Sequence, residues 1–253
     1  MRIIGQLRDA SNATWIAQLV VDPPAHGPLV IYKPIAGEAP LWDFPHGTLA
    51  ARERAAYLIS AVGGWDVIPA TVLRSGPAGD GMVQEWIGDL ETVGACVVQL
   101  VDPADGLDGL IPVLRAQGED GRPLVVAHED APDVRSLAVL DVVLNNTDRK
   151  GAHAFRHLGR LYGVDHGVTL HTENKLRTVL WGWAGQPLPE SEMERLRLLG
   201  PLLAPGGELA TVLAPLITAA EVKALTGRVS RLLRTGVHPS PGGRWPAIPW
   251  PPI

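Results

Sequence analysis

The chain has 253 residues, 46% hydrophobic and 19% charged, with a formal net charge of −5 at pH 7. That is enough for one or two domains with a substantial core. It excludes a chain-wide positive field that would recruit nucleic acid or an anionic membrane surface, so any phosphate site must be a local arrangement. Cys96 is the only cysteine, which rules out an intrachain disulfide. No apolar run approaches the roughly 18 residues of a spanning helix. With no charged-then-apolar leader, a cytoplasmic address is expected and stable membrane insertion is not.

In chain order, Met1 to Leu7 and Thr14 to Val21 read as strands separated by a polar turn carrying Asp9, Ser11 and Asn12. Leu29 to Lys33 is a third strand, stopped by Pro34. Thr48 to Ser60 is predicted as a helix, with Thr48 as its cap and Leu49, Ala56, Leu58 and Ile59 as its apolar contacts. Strands are expected again near Val67 to Arg74 and Met82 to Ile87. Gly88 to Arg122 lacks periodicity and is rich in Asp, Gly and Pro, which predicts a mostly exposed insertion with a short helical piece. Pro132 to Leu144 reads as an apolar helix. Ala154 to Val164 reads as a hairpin turning at Gly159-Arg160. Glu190 to Thr235 is helical with a break at Pro205-Gly206-Gly207. The Pro- and Trp-rich tail from His238 is not regular helix and is expected to lie on the surface through Trp245 and Trp250. The order gives an α+β chain with a strand-rich first lobe and a mainly helical second.

Four features carry chemistry. Lys33 shares a strand face with Leu29 and Ile31, and a lysine on a buried apolar face needs an anionic partner. Glu53, beside the inward stripe of the following helix, is the best candidate; a lysine that snorkels to water from the strand end is the alternative. Asp148 lies in the polar loop NNTDRKGAH directly after an apolar helix. By itself such a loop also suits a capped helix end. A hairpin turning at Gly159-Arg160 would set His153 near His166 and Ala154 near Asp165, so that the loop and the turn Asp165-His166-Gly167 converge. Two aspartates with a histidine between them form a candidate metal and proton-transfer site, and such clustering calls for a cation. The aspartates suit Mg²⁺, and His153 tilts the preference toward Mn²⁺. Lys175 and Arg177 follow on a short stretch and are candidates to grip an anionic acceptor; otherwise that stretch is a solvated loop with Trp181 and Trp183 in the core. A metallohydrolase built from His153, His157, Asp165, His166 and His171 is a further possibility, without any HExxH-type helix to support it.

Lys33 in VIYKP, Glu53 in RERAAYL, NNTDRKGAH and VDHG, in that order, resemble the phosphatidylinositol 3-/4-kinase-like superfamily, with a loop and Asp-x-Gly turn similar to type II phosphatidylinositol 4-kinases and, more loosely, HipA-type kinases. YKPIAGEAPLWDFP, KLRTVLW and the final PWPP resemble a mainly actinobacterial family of phosphatidylinositol-kinase-like proteins. The resemblance spans nearly the whole chain and implies a bilobal protein-kinase-like fold, with an N-lobe over 1–88 and a C-lobe over 89–253. It implies ATP with Mg²⁺ or Mn²⁺ as cofactors; the expected phosphoryl acceptor is a protein or small soluble molecule. Lys33 would contact the phosphates and Glu53 would hold it. Ser11 and Asn12 would occupy the phosphate-loop position, and Gln84, Glu85 and Ile87 would lie in the adenine-binding hinge. Asp148 would orient or deprotonate the acceptor hydroxyl, and Asp165 would chelate the metal. Two residues depart from the superfamily pattern: His153 stands where a metal-binding asparagine is usual, and Lys150 where a histidine is often found. Lys150 would handle transition-state charge. A nucleotide-binding pseudokinase is the alternative that these departures favour. The long basic face expected of a phosphoinositide headgroup site is absent.

Overall fold

Period-two alternation organises the first part of the chain in the computed structural model, which describes residues 1–7, 12–20, 26–90 and 94–253. Strands β1 (Arg2–Gln6), β2 (Trp15–Val20) and β3 (His26–Pro34) are followed by helix α1 (Leu49–Val62), then β4 (Thr71–Gly76) and β5 (Gly79–Glu85). The five strands make one antiparallel sheet in the order β1-β2-β3-β5-β4. On β3, Val30 and Tyr32 point to one face and are buried with Ala17 and Val83. Ile31 and Lys33 point to the other and line a cavity. The closed apolar face is thus the one opposite Lys33, a correction to the expectation that Lys33 shares the buried side.

Helix α1 starts where predicted, but its cap differs. The Thr48 hydroxyl donates to the Pro45 carbonyl. The Glu38 carboxylate instead accepts from the first two helical amides, Leu49 at 3.1 Å and Ala50 at 2.8 Å. A carboxylate there also matches the positive end of the helix dipole.

The segment expected to be an exposed insertion is largely sheet. Strands β6 (Ala95–Cys96), β7 (Val98–Val101), β8 (Leu110–Gln117) and β9 (Pro123–Glu129) follow α1 and the first sheet. A three-stranded sheet runs β7-β9-β8, and the short helical piece is a 3-10 turn at Pro103–Asp105. The register slips between Pro112 and Leu114. A proline and a bulge in one strand erase the alternation that would have betrayed it.

Helix α2 (Pro132–Leu144) runs through the main core: Leu137, Val139, Leu140, Val143 and Leu144 are all 0% exposed. It ends at Asn145 in the left-handed conformation, φ 53°. Strands β10 (Ala154–His157) and β11 (Arg160–Gly163) form the expected hairpin, turning at Leu158-Gly159. Both turn residues have positive φ, 49° and 78°, which matches the right-handed twist of a two-residue hairpin. Ala154 therefore faces Gly163, two residues from the predicted register. Helices α3 (Glu190–Leu202), α4 (Glu208–Leu213) and α5 (Ala219–Thr235) complete the fold, with the predicted break between α3 and α4. Helix α5 carries a Thr218/Glu221 capping box, and Glu221 also accepts from buried Arg52 of α1 at 2.5 Å. Among the described residues no helix is long and apolar enough to cross a membrane.

The tail packs through Trp245, whose ring stacks on Trp42 at 5.5 Å; Trp250 is 84% exposed, contrary to its predicted packing role. The Ala247 carbonyl accepts from the Thr178 amide and the Trp181 indole, and the Pro252 carbonyl accepts from Gly151 of the polar loop at 2.8 Å.

Candidate active site

A strand, a helix and a turn meet at Lys33. Its ammonium donates to Glu53 at 2.9 Å and to Asp165 at 2.8 Å. The second oxygen of Glu53 accepts from the His166 amide at 2.9 Å, so one buried carboxylate ties α1 to both the lysine and the Asp165-His166-Gly167 turn. Burial works against the Lys33 charge, but the two carboxylates overcome it and raise its pKa. Lys33 in turn holds the Asp165 carboxyl well below the ordinary range. Asp165 sits in the left-handed region, φ 59°, a conformation aspartate tolerates better than most residues.

The polar loop after α2 is fixed by groups the sequence did not single out. Arg149 is fully buried and grips Asp141 of α2 through Nε and Nη2 at 3.0–3.2 Å. It also donates to the His153 and Val164 carbonyls and to Nε2 of His166 at 2.7 Å. Asn146 donates to Asp141 at 2.9 Å, and the Asn146 carboxamide oxygen accepts from the Asp148 amide. The signal was present: an aspartate on an otherwise apolar helix and an arginine beside a candidate catalytic residue need a common explanation. His166, expected next to His153, instead lies buried against Arg149, and burial with that guanidinium keeps its pKa well below the usual value.

Asp148 and Lys150 emerge from this frame, Lys150 Nζ lying 3.3 Å from an Asp148 oxygen. Burial raises the Asp148 pKa, with the Lys150 charge opposing. His153 donates from Nδ1 to the Asp148 carbonyl at 3.0 Å, which leaves its Nε2 as the acceptor, 3.5 Å from an Asp165 oxygen. Burial lowers the His153 pKa to about 4, so the ring is neutral at physiological pH. A nitrogen lone pair and a carboxylate oxygen thus face one another across a gap. That donor pair fits a divalent cation, and 46% of the Asp165 side chain is open to the cleft. The loop and the turn converge as predicted, although through a different register: the backbone of His153 pairs with Val164.

The remaining histidines of the hydrolase alternative disperse. His157 sits at the hairpin end, and His171 packs edge-on against Phe44 at 5.4 Å. Among the described residues no group of three His, Cys, Asp or Glu is placed to hold a metal.

Two cavities share Asn12, Lys33, Asp148 and Asp165. The larger, about 480 Å³, is lined further by Ile31, Gln84, Glu85, Ile87, Lys150 and His153. The Glu85 and Trp86 amides are committed to the Ala70 and Leu29 carbonyls, and Gln84 donates to Thr71 at 2.8 Å. The smaller cavity, about 290 Å³, lies on the other side, toward Trp42, Val168, Arg177 and Trp245. Asn12 holds the Ala39 amide through its carboxamide oxygen at 2.7 Å; Ser11 lies outside the described residues. Lys175 is buried, paired with Asp43 at 2.9 Å and set against the rings of Trp42 and Trp245 at 4.8 and 4.4 Å. Of the two tryptophans that the alternative reading put in the core, Trp183 is buried and Trp181 is half-buried.

No protein-family model matches the chain. The chain is 45% identical over 259 residues to protein Rv2133c of Mycobacterium tuberculosis, covering 99% of this chain and 91% of that one. Among solved structures it is similar to the Golgi casein kinase with Mn/ADP bound: TM-score 0.55, 13% identity, 92% of this chain and 72% of that chain. It is also similar to the Helicobacter pylori proinflammatory kinase CtkA: TM-score 0.50, 13% identity, 93% of this chain and 92% of that chain. At such identities the likeness is one of fold, and the fold is α+β and protein-kinase-like.

Proposed function

We propose that this chain, which belongs to the family of protein Rv2133c, is an ATP- and divalent-metal-dependent phosphotransferase acting on a protein or small soluble acceptor. The observation that carries the reading is Lys33, bonded at once to Glu53 and Asp165 on the wall of a cavity that also holds Asp148. Phosphoryl transfer asks the protein mainly for positioning and charge stabilisation, and these side chains supply both.

In this reading the larger cavity takes the nucleotide. The Ile87 amide, free of hydrogen bonds among the described residues, meets adenine, with Gln84 and Glu85 beside it. Lys33, locked in place by Glu53, meets the phosphates, with Asn12 beside them on the cavity wall. Asp165 and His153 would hold Mg²⁺ or Mn²⁺, which would supply positive charge to offset that of the phosphates. Two protein ligands suit a cation that completes its shell with phosphate and water. Asp148 accepts the acceptor's hydroxyl proton, and a carboxylate with a raised pKa is a better base than an ordinary one. Lys150 offsets charge beside it. The division into an N-lobe over 1–88 and a C-lobe over 89–253 places the boundary at Gly88, whose positive φ of 94° supports a hinge there. The likeness of the core motifs to phosphatidylinositol 3-/4-kinases supports the residue roles; no clustered basic face supports a lipid acceptor.

The test is ATP turnover with Mg²⁺ or Mn²⁺ by the full chain. Asp165→Ala is expected to abolish it; retained turnover contradicts the proposal. His153 and Lys150 favour a second reading, a nucleotide-binding pseudokinase. ATP would then raise the melting temperature by mass action without any phosphate being transferred.

A further inference from the structure

The smaller cavity meets the larger at Asp148, Asp165 and Lys33, and its charged walls are unequally satisfied. Lys33 is held by Glu53 and Asp165. Both oxygens of Glu38 accept from the amides that open α1. Asp43 is paired with Lys175, which is 2% exposed and covered by two indole rings. Arg177 is different. Its Nε is buried without a hydrogen-bond partner, and among the described residues its guanidinium makes no ion pair.

That side chain is held by its backbone. The Arg177 amide donates to the Asn146 carbonyl at 2.9 Å, and the Arg177 carbonyl accepts from the Arg149 amide at 3.1 Å, so the residue is laced to both flanks of the Asp148 loop. Its charge acts on Asp148. Arg177 is half-buried, and a guanidinium with a buried, unmatched Nε and no ion pair carries a desolvation cost that an anionic ligand offsets with charge-assisted, bidentate bonds. The cavity volume of about 290 Å³ falls at the low end for small-molecule sites, which span about 300–1,000 Å³. The stacked Trp42 and Trp245 rings line it.

We infer that this cavity is the acceptor site and takes a small hydroxylated anion, a carboxylate or a phosphate ester, whose charged group pairs with Arg177 while its hydroxyl meets Asp148. The inference rests on the phosphotransferase reading above and narrows its acceptor. The acceptor oxygen bonds to the γ-phosphorus of ATP as the bond to the bridging oxygen breaks; ADP leaves, and the hydroxyl proton passes to Asp148.

The experiment uses the full chain saturated with ADP and Mn²⁺, titrated by calorimetry with glycerol 3-phosphate, glycerate and uncharged glycerol. Both anions are expected to bind and glycerol is not. Arg177→Met should weaken anion binding at least tenfold and leave ADP affinity unchanged. Because the native guanidinium makes no hydrogen bond through Nε, the ligand-free variant should melt at or above the wild-type temperature; a merely structural arginine would melt lower. Anion binding that is absent, or equal in Arg177→Met, overturns the inference, as does a serine peptide phosphorylated equally well by both proteins. If ADP itself fails to bind the wild type, the phosphotransferase reading falls too. If ADP binds normally and the anions ignore Arg177, only the acceptor assignment falls.

Discussion

Arg149 carries a full positive charge with no exposed surface, and it is tolerable only because Asp141, two carbonyls and His166 absorb it. Removing one partner of such a pair leaves the other charge buried. Arg149→Met is therefore expected to lower stability by about 3–5 kcal/mol, measured by urea unfolding, with Asp141→Asn recovering part of the loss when combined with it. Buried histidines set a pH limit at the same scale. His128 donates from Nδ1 to the Glu129 carbonyl and accepts the Gly182 amide at Nε2, which fixes a neutral ring. His238 accepts from Arg135, and burial with that guanidinium lowers its pKa to about 4. Burial also lowers the His128 pKa. Because the unfolded chain takes up these protons first, the contribution of His238 is complete above about pH 6.5 and is lost as the pH falls toward 4, at no more than about 1.4 kcal/mol per unit. The urea midpoint of His238→Gln should fall less than that of the wild type between pH 7 and pH 4.5.

At the scale of elements, Glu38 matters because α1 positions Glu53 and hence Lys33. Glu38→Ala leaves two helical amides uncapped and should cost about 1 kcal/mol by urea unfolding. A frayed first turn should weaken nucleotide binding as well, seen as a smaller ATP-induced thermal shift. Elements also show what could be read from the sequence and what could not. The strands of the first sheet were legible from their period and α1 from its apolar contacts, though not its cap, and α2 was legible from its unbroken apolar content. The hairpin was legible but misregistered. Its first turn residue is Leu158, which gives none of the usual left-handed signals, so Gly159 was assigned one place too early in the turn. The β7-β9-β8 sheet was lost to a bulge and Pro112. The convergence of Asp148, His153 and Asp165 survived the register error because both loops end at the same side of the hairpin. The Arg149–Asp141 pair and the role of Glu38 depend on tertiary meetings that no local pattern encodes.

Across the whole molecule, the tail ties distant parts of the site together. Trp245 stacks on Trp42 beside the smaller cavity, Ala247 accepts from the segment that carries Arg177, and Pro252 accepts from Gly151 next to Lys150. Deleting residues 239–253 removes three hydrogen bonds and an aromatic pair, an expected loss of about 3–5 kcal/mol by urea unfolding, with catalytic turnover falling further than nucleotide affinity. The central claim is that one cleft joins a nucleotide held by Lys33 and Asp165 to an acceptor met by Asp148. The most direct test is ATP turnover with Mn²⁺ by the wild type and Asp148→Asn, alongside the melting temperature of each with and without ATP. Turnover is expected in the wild type and lost by roughly 100-fold or more in Asp148→Asn, consistent with removal of a general base, while ATP still raises the melting temperature of both. Equal turnover in the two proteins, or no effect of ATP on either, would contradict the account.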